Sequence, residues 1–475
     1  MAPKKKISQG LPRCTDLGNA ELFADRYRDR LRFDHSRKRW LLWEEHWWAE
    51  DVDGELMRMA KRAARFRLAQ SATFGDDEEH KNQAKWALQS ESLPRLEAML
   101  KLAQSERLLA DDGSGWDEDP FILGVENGVI DLRTGKLRAG NPTDKVTLHT
   151  NITFNPNATC PRWNRLLLEI FDGNSELVSY VHRGVGYSLT GDTSEQCFFC
   201  CHGKGGNGKT TFLNAVRFVM GAYACNLPFS AFELQARSAI PNDVATLPGR
   251  RFVTAIETGE AARLNEARIK ALTGGDPITA RLLNREFFTF TPVSKFWLAF
   301  NHPPVVADDS HGFWRRVRQI PSVRQFDLET EPGLENVLRA EAPGILAWAV
   351  RGCLEWQTLG LDSPSVVKEA TEAYRQASDP VRDFVADRCV LDPDAQVIVA
   401  VLWEDYLNWC LQNGEQHCLE RPAFTRRLEA LGLRKTRYGH DRDWIWLGVR
   451  RRQDAAAQCP PADADVRTDA DVKLQ

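Results

Sequence analysis

The chain of 475 residues carries 62 Lys and Arg against 66 Asp and Glu, a formal net charge of −4, with 43% hydrophobic and 27% charged residues. These proportions are ordinary for a globular protein and exclude a fibrous chain or one disordered throughout. No stretch approaches the roughly 18 consecutive apolar residues of a membrane span, and the N-terminus lacks a signal-peptide core. Together with eleven scattered cysteines, this predicts a cytoplasmic protein without a membrane partner.

The pattern of apolar residues predicts an α/β fold with flanking regions of different composition. In chain order the predicted segments are a disordered basic N-terminus (1–16), an α+β region (17–150), a helical segment (151–190), an α/β core (191–327), further helices (328–378), a small basic unit (379–452) and a disordered acidic tail (453–475).

Two residue clusters have both a structural and a chemical interpretation. Cys197 and Cys200 have the C-x-x-C spacing and are followed by Cys201, but no second Cys or His pair follows at zinc-finger distance, which favours a buried strand. The tryptophans of RKRWLLWEEHWWAED lie beside basic residues. They could stack on nucleic-acid bases, although the core of a small domain is the favoured interpretation.

The most specific motif satisfies G-x-x-x-x-G-K-[ST], between an apolar strand over 196–201 and a helical run. Glycines let successive backbone N–H groups face a phosphate chain, and the helix N-terminus adds partial positive charge. We therefore predict a P-loop that binds ATP, with Lys209 at the β and γ phosphates and Thr210 on Mg²⁺. Its residues are Gly203, Lys204, Gly205, Gly206, Asn207, Gly208, Lys209 and Thr210, with Thr211 next.

Carboxylates follow a second apolar strand, over 251–256. Glu257 ends this strand and Glu260 lies three residues on, so either could hold the magnesium shell or polarise the attacking water. Which of the two has which role stays open. A third strand, over 294–300, ends at Asn301, whose amide could contact the γ-phosphate or the attacking water.

An arginine cluster follows in FWRRVR. Arginine is suited to stabilising charge on a transferring phosphoryl group, often across a subunit boundary. We expect Arg315 or Arg316 to do so, against the alternative of a basic surface strand.

The order of these motifs resembles superfamily 3 helicases, and more closely the phage/plasmid primase-helicase family related to the poxvirus helicase-primase. The resemblance covers about residues 115–450 and extends more weakly to about residue 17. Larger family members carry an N-terminal primase domain with acidic metal ligands, and we expect this chain to be the helicase portion without it. The matching segments are ENGVIDLRTGKL, GVGYSLTG, LNEARIKALTGGDPITAR, NHPP, WRR and PGILAWA.

The resemblance implies an AAA+-like ATPase core, an oligomerisation collar over 151–190, a helical lid over 328–378 and a ring, usually a hexamer. It implies 3′→5′ unwinding along single-stranded DNA. On this model Glu257 is the acidic residue of the site, Asn301 the sensor and Arg315 or Arg316 the finger reaching a neighbour's ATP.

The resemblance also implies a pore hairpin after Asp276, and two strands around Asn284-Arg285 suit a hairpin physically. Lys270, Arg281 and Arg285 are the candidates for contacting DNA phosphates there. Each could instead be an ordinary surface residue.

The C-terminal unit is strongly basic. Residues 421–452 hold ten basic and three acidic residues, a net charge of +7. A helix with Pro422 in its first turn, followed by a basic two-stranded hairpin, resembles a winged helix. We expect DNA contacts from Arg426, Arg427 and Arg437, against the alternative of a basic surface that binds nothing.

These observations predict an ATP-dependent, ring-forming DNA helicase in replication of a phage, plasmid or prophage, in a bacterial host cell. Its expected cofactors are ATP and Mg²⁺. Its expected partners are single-stranded and forked DNA, further copies of itself in a homo-hexamer, and a separate primase or polymerase. The alternatives are an ATP-switched origin-binding or loader protein without unwinding activity, and a non-replicative P-loop NTPase.

Overall fold

The computed structural model describes residues 11–71, 78–234, 243–257, 263–281, 286–308, 310–326, 331–413, 418–438 and 443–452. The chain divides into two compact units. Residues 1–260, 267–302 and 315–368 form the first unit, and residues 261–266, 303–314 and 369–475 form the second. Within the described ranges, no helix combines the length and hydropathy that crossing a bilayer requires.

The helices are α1 (Asp16–Tyr27), α2 (Glu55–Ser71), α3 (Glu78–Ser90), α4 (Leu93–Ala103), α5 (Pro161–Ile170), α6 (Ser175–Ser188), α7 (Lys209–Met220), α8 (Glu266–Gly274), α9 (His311–Trp314), α10 (Leu334–Ala340), α11 (Ala342–Leu359), α12 (Ser365–Ala377), α13 (Pro380–Arg388), α14 (Val399–Gln412) and α15 (Arg421–Ala430).

The strands are β1 (Leu31–Asp34), β2 (Arg39–Glu44), β3 (Trp47–Glu50), β4 (Ala110–Asp111), β5 (Ile122–Val125), β6 (Gly128–Asp131), β7 (Lys136–Arg138), β8 (His149–Thr150), β9 (Phe198–His202), β10 (Ala224–Asn226), β11 (Phe252–Ile256), β12 (Ile278–Arg281), β13 (Phe287–Phe290), β14 (Lys295–Phe300), β15 (Val317–Pro321), β16 (Cys389–Ile398), β17 (Arg434–Tyr438) and β18 (Asp443–Arg451).

The N-terminal part of the first unit packs helices α1, α2 and α4 on a sheet of order β3-β2-β1-β4. Trp40 and Trp48 are buried, and Trp43 and Trp47 are half-buried. The predicted role of this tryptophan cluster as core is therefore confirmed for two of its members. Most of the predicted disordered N-terminus (1–16) falls on residues 1–10, which lie outside the described residues, whereas α1 begins within it at Asp16.

A second sheet, of order β7-β6-β5-β8, contains two tight connections. β5 and β6 pair antiparallel around Asn127-Gly128, and β6 and β7 pair across the Arg133–Gly135 turn. Leu123 and Ile130 of this sheet belong to the same hydrophobic core as the helices that follow. The domain boundary predicted at residue 150 therefore falls inside one core.

The centre of the first unit is a five-stranded sheet of order β10-β11-β14-β9-β15 in which every pairing is parallel. Parallel strands need crossover connections, and both faces of such a sheet are usually covered. β14 accordingly has no exposed residue, and Trp297 at its centre stacks on Phe199 of β9 with ring centroids 4.1 Å apart. The α/β class predicted for 191–327 is confirmed as a mixed α/β fold with a parallel sheet.

Helices α6 and α11 contribute to this same core. Tyr180 of α6 and Trp348 of α11 are buried with Trp163 and Trp297 in one cluster. α6 lies in the predicted collar (151–190) and α11 in the predicted lid (328–378). Their apolar side chains share a core with the sheet, since both helices carry apolar faces wide enough to need burial.

The second unit contains a three-stranded antiparallel sheet of order β16-β18-β17 with helices α13, α14 and α15. The sequence predicts its last helix and the two strands after it, and these are confirmed. β16 was not predicted, because Asp392-Pro393-Asp394 interrupts its apolar pattern. A register shift between Leu391 and Gln396 accommodates this interruption.

Candidate functional site

Three neighbouring parallel strands end at the same edge of the central sheet. β9 runs into the glycine-rich loop, β11 ends before Glu257, and β14 ends before Asn301. Ligands of open α/β sheets bind outside the carboxyl ends of the strands. The strands predicted over 196–201, 251–256 and 294–300 are found within two residues of those bounds, so the polar residues that follow them are brought together.

The Lys209 ammonium joins the elements of this site. Its Nζ donates to the Gly203 carbonyl at 2.5 Å, to Asn207 Oδ1 at 2.7 Å and to Asn301 Oδ1 at 3.3 Å. Lys209 is 6% exposed, and burial lowers the pKa of its ammonium from the usual value. The contact with Asn301 links the loop after β9 to the end of β14. The role of Asn207 was not predicted, because the motif leaves its position unspecified.

The loop geometry depends on two of its glycines. A Cβ on Gly203 would lie 2.2 Å from both Asn207 Nδ2 and the Ser322 carbonyl oxygen, which leaves no room for a side chain. Gly208 caps α7 with φ of 75°, a conformation that favours glycine. Asn207 Nδ2 also donates to the Ser322 carbonyl at 3.2 Å, which ties the loop to the chain after β15.

Glu257 is the acidic residue at this edge. Its backbone N–H donates to the Ala299 carbonyl at 2.9 Å, which fixes the residue beside the end of β14. Among the described residues its Oε1 is buried without a hydrogen-bond partner. Burial raises the pKa of the Glu257 carboxyl, while the neighbouring His302 partly offsets this effect. Glu260, the other predicted carboxylate, lies outside the described residues.

Two cavities adjoin the glycine-rich loop. The smaller, about 290 Å³, is lined by residues 205–211 together with Glu257 and Asn301, and Thr210 at its rim is exposed. The larger, about 1070 Å³, lies between α5, α7 and α10 and touches the same loop at Gly206 and Gly208. Glycine amides, a lysine and a carboxylate around a small cavity suit a polyanionic ligand with a bound cation.

The cysteines at the start of β9 do not form a metal site. Cys197, Cys200 and Cys201 are all buried and free, and burial raises the pKa of the Cys201 thiol to about 12. Across the described ranges, no three His, Cys, Asp or Glu side chains are grouped as ligands for a metal ion. The prediction that these cysteines act as small apolar residues of a buried strand is confirmed.

The two predicted finger arginines differ in exposure. Arg315 is exposed, and its Nη2 donates to Gln196 Oε1 at 2.6 Å. Arg316 is 9% exposed, and burial, followed by the charge of Arg315, lowers the pKa of its guanidinium. Only Arg315 of this pair therefore presents its side chain to solvent.

The predicted hairpin after Asp276 is present as β12 and β13. These strands pair antiparallel from Ile278 opposite Phe290 to Arg281 opposite Phe287. Phe287 is 59% exposed and carries the Arg281 guanidinium 4.9 Å from its ring centroid. Phe287 was not predicted as a site residue, because its position in an apolar run indicates only a strand. Lys270 lies half-buried on α8, and Arg285 lies outside the described residues.

In the second unit, Arg426 and Arg437 are exposed as expected of residues that contact a partner. Arg427 requires a correction, because it is 5% exposed. Its Nη1 pairs with Asp379 Oδ1 at 2.7 Å, and its Nη2 donates to the Ala307 carbonyl at 2.8 Å. The Arg427 guanidinium is committed to the interior of this unit, and we withdraw it as a DNA contact.

Comparison with family models gives three matches along the chain. Residues 20–172 match a "D5 N terminal like" family, residues 201–316 match a family of unknown function, and residues 376–445 match a "Poxvirus D5 protein-like" family. The glycine-rich loop and both strand ends of the site lie in the second match. The third spans most of the sheet unit that contains α13 to α15.

Curated relatives are viral proteins. A protein of Acanthamoeba polyphaga mimivirus named "Putative helicase" is 27% identical over 64% of this chain and 34% of its own length. A "Putative primase" of African swine fever virus is 26% identical over 59% of the chain and 32% of its own length. A "Putative helicase" of Frog virus 3 is 22% identical over 67% of this chain and 42% of its own length. The chain thus spans about a third of the length of the first two.

The chain therefore carries D5 N-terminal-like and poxvirus D5-like domains and is homologous to these viral proteins, in agreement with the resemblance to superfamily 3 helicase-primases found in the sequence. Among solved structures, two apo structures of the NrS-1 C-terminal region are similar. Both are 11% identical to this chain. The first has a TM-score of 0.46 and covers 75% of each chain, and the second has a TM-score of 0.47 and covers 91% of this chain and 99% of the solved chain.

Proposed function

We propose that this protein is an ATP-dependent DNA helicase of superfamily 3 that works as a ring in replication. One observation carries the proposal. The Lys209 ammonium bridges the glycine-rich loop and Asn301, at the strand edge that also holds Glu257. A lysine, a strand-end carboxylate and a strand-end amide are the groups that bind a nucleoside triphosphate and orient water for its hydrolysis.

The two cavities fit the two parts of ATP. The triphosphate occupies the 290 Å³ cavity, where Lys209 exchanges its present acceptors for phosphate oxygens. The nucleoside extends into the 1070 Å³ cavity, which opens from the same loop at Gly206 and Gly208. That cavity is lined by apolar surface from Leu166, Phe218 and Phe326, as base-binding pockets usually are.

Thr210 and Glu257 fit a magnesium ion. The Thr210 residue is exposed at the first turn of α7, and Glu257 Oε1 is buried with no hydrogen-bond partner among the described residues. Hydroxyl, carboxylate, water and phosphate oxygens are the ligands Mg²⁺ prefers. When bound, the ion neutralises charge developing on the phosphates. Glu257 or Glu260 also orients the attacking water.

Arg315 is the finger we propose to reach a neighbouring subunit's ATP. An arginine acting across a subunit boundary must be exposed in one subunit, and Arg315 is exposed whereas Arg316 is 9% exposed. Gln196 holds the Arg315 guanidinium at the surface. This requirement for a neighbouring subunit supports a closed ring, and we propose that the ring has six subunits.

Two basic surfaces are proposed to hold DNA. In the first unit, the hairpin of β12 and β13 presents Arg281 and Phe287, with Lys270 on the preceding helix. Arg285, which follows β12 in the sequence, is proposed to act with them. In the second unit, the order helix, strand, two helices, two strands supports the proposed winged helix, and Arg426 and Arg437 are exposed on this unit. Such contacts give salt-sensitive affinity independent of base sequence.

Strand displacement on a forked DNA duplex tests this function. The wild-type protein with ATP and Mg²⁺ should release the labelled strand, and Lys209→Ala should abolish both release and DNA-stimulated hydrolysis. Hydrolysis without displacement would favour the second candidate, an ATP-switched origin-binding or loader protein. Unchanged hydrolysis in Lys209→Ala would overturn the site, leaving a different NTPase site or none.

The setting remains part of the proposal. The relatives named above come from mimivirus, African swine fever virus and a frog virus, all viruses of eukaryotes. The phage, plasmid or prophage origin in a bacterial cell rests on the sequence resemblance alone, as does a separate primase or polymerase partner.

A further inference from the structure

An exposed tryptophan stands on the hairpin of the second unit. Trp444, near the start of β18, is 45% exposed, whereas Trp446 two residues on is fully buried. Side chains two apart on a strand share a face, so the core covers this face at Trp446 but not at Trp444. The face of the hairpin that is buried at Trp446 is therefore exposed to solvent at Trp444.

Two cations flank this indole. Arg437 of β17 pairs directly opposite Trp444, and Lys435 pairs opposite Trp446 on the same face. The guanidinium carbon of Arg437 and the Nζ of Lys435 each lie 5.0 Å from the Trp444 ring centroid. Both distances are within the range of a cation–π contact. The surface formed by Lys435, Arg437 and Trp444 is called here the hairpin face.

Positive charge on the hairpin face is not balanced by an ion pair with any carboxylate among the described residues. Among the described residues, neither Lys435 nor Arg437 forms an ion pair, whereas other arginines of the C-terminal segment do. Those internal pairs are Arg427–Asp379 at 2.7 Å, Arg450–Asp392 at 3.6 Å and Arg451–Asp405 at 3.4 Å. The fold thus neutralises basic residues elsewhere and leaves these two cations beside an exposed ring.

We propose that the hairpin face binds single-stranded nucleic acid, with one base stacked on Trp444 and the adjoining phosphates held by Lys435 and Arg437. An acidic protein surface would match the cations but would leave the indole without a flat partner. A duplex offers phosphates, but its bases are already stacked. An unpaired nucleotide supplies both a negative charge and a free aromatic face. The inference rests on the proposed nucleic-acid role of this unit and is independent of ATP hydrolysis.

The test measures binding of the full chain to fluorescein-labelled oligonucleotides by anisotropy, without nucleotide. The probes are an oligothymidylate, a strand of the same length with abasic sites, and a blunt duplex. Trp444→Ala should weaken oligothymidylate binding about tenfold, as expected for loss of one stacked base, and Trp444→Phe should restore most of it. On the abasic strand, Trp444→Ala should bind as the wild type does.

Leu447→Ala is the matched control, because Leu447 is an exposed apolar residue of the same strand and should change no affinity. Lys435→Ala with Arg437→Ala should reduce the salt dependence on all three probes. The proposal is overturned if Trp444→Ala leaves oligothymidylate affinity unchanged, or if it weakens abasic and duplex binding equally. Absence of strand displacement, by contrast, would refute the helicase and leave this result intact.

Discussion

Arg427 and Arg426 are adjacent on α15, but only the substitution of Arg427 should lower the stability of this unit. Arg427 is 5% exposed, pairs with Asp379 at 2.7 Å and donates to the Ala307 carbonyl. Removing one member of a buried pair costs about 3 to 5 kcal/mol, since the other charge stays buried alone. In Arg427→Ala, Asp379 Oδ1 would still accept a hydrogen bond from the Val381 N–H, at 3.0 Å, and its carboxylate is partly exposed. We therefore expect a loss of unfolding free energy at the lower end of this range, about 3 kcal/mol.

The assay is urea unfolding of the full chain, combined with amide hydrogen exchange in α13 and α15 to follow this unit. With a dependence of about 2 kcal/mol per molar urea, Arg427→Ala should lower the midpoint of the unit's transition by about 1.5 M. Arg426→Ala is the matched control and should leave the midpoint within experimental error, while weakening DNA binding. Equal midpoints for the two variants, with DNA affinity lost only in Arg427→Ala, would refute the assignment of Arg427 to the interior.

Three further outcomes test the site of the first unit. Burial raises the pKa of Glu257, and its carboxylate must be ionised to act, so ATP hydrolysis should fall with decreasing pH at a higher pH than an ordinary glutamate would cause. Glu257→Gln should retain nucleotide binding, measured by filter binding, and lose hydrolysis, measured by phosphate release. Arg315→Ala mixed into wild-type protein should depress hydrolysis more than in proportion to its fraction, whereas strict proportionality would exclude a shared site. In urea unfolding, Gly203→Ala should lower the free energy of unfolding by about 1 to 3 kcal/mol, because the added Cβ overpacks the loop. Gly205→Ala is the control and should lower it by less than about 0.5 kcal/mol, because the space around its Cβ is open.

The strands of the central sheet could be predicted because their signals are local. Each is a short apolar run ended by a polar residue, and carboxyl ends of parallel strands meet at one edge. The sequence therefore indicated that Lys209, Glu257 and Asn301 lie together. It did not indicate that Asn207 would accept from Lys209 and donate to Ser322, because that geometry depends on where the chain returns after β15.

Domain boundaries depend on which apolar faces meet, and local sequence patterns do not indicate this. α6 and α11 are separated by more than 150 residues, yet their side chains bury with Trp297 of the sheet in a single core. Helical periodicity identifies an apolar face but not its partner. The helices predicted as collar and lid therefore share a core with the central sheet, and their roles as collar and lid stay predictions.

Burial also changes the meaning of charge in the C-terminal segment. Its net charge of +7 was the reason for expecting DNA there, but Arg427, Arg450 and Arg451 are neutralised by carboxylates of the same unit. Charges paired inside the fold release no counterions on binding a phosphate chain. Of the ten basic residues, at most seven remain for DNA, which lowers the steepest salt dependence on single strands from a slope of about −7 to about −5. Affinity should consequently depend more on aromatic contacts such as Trp444 than the composition of the segment suggests.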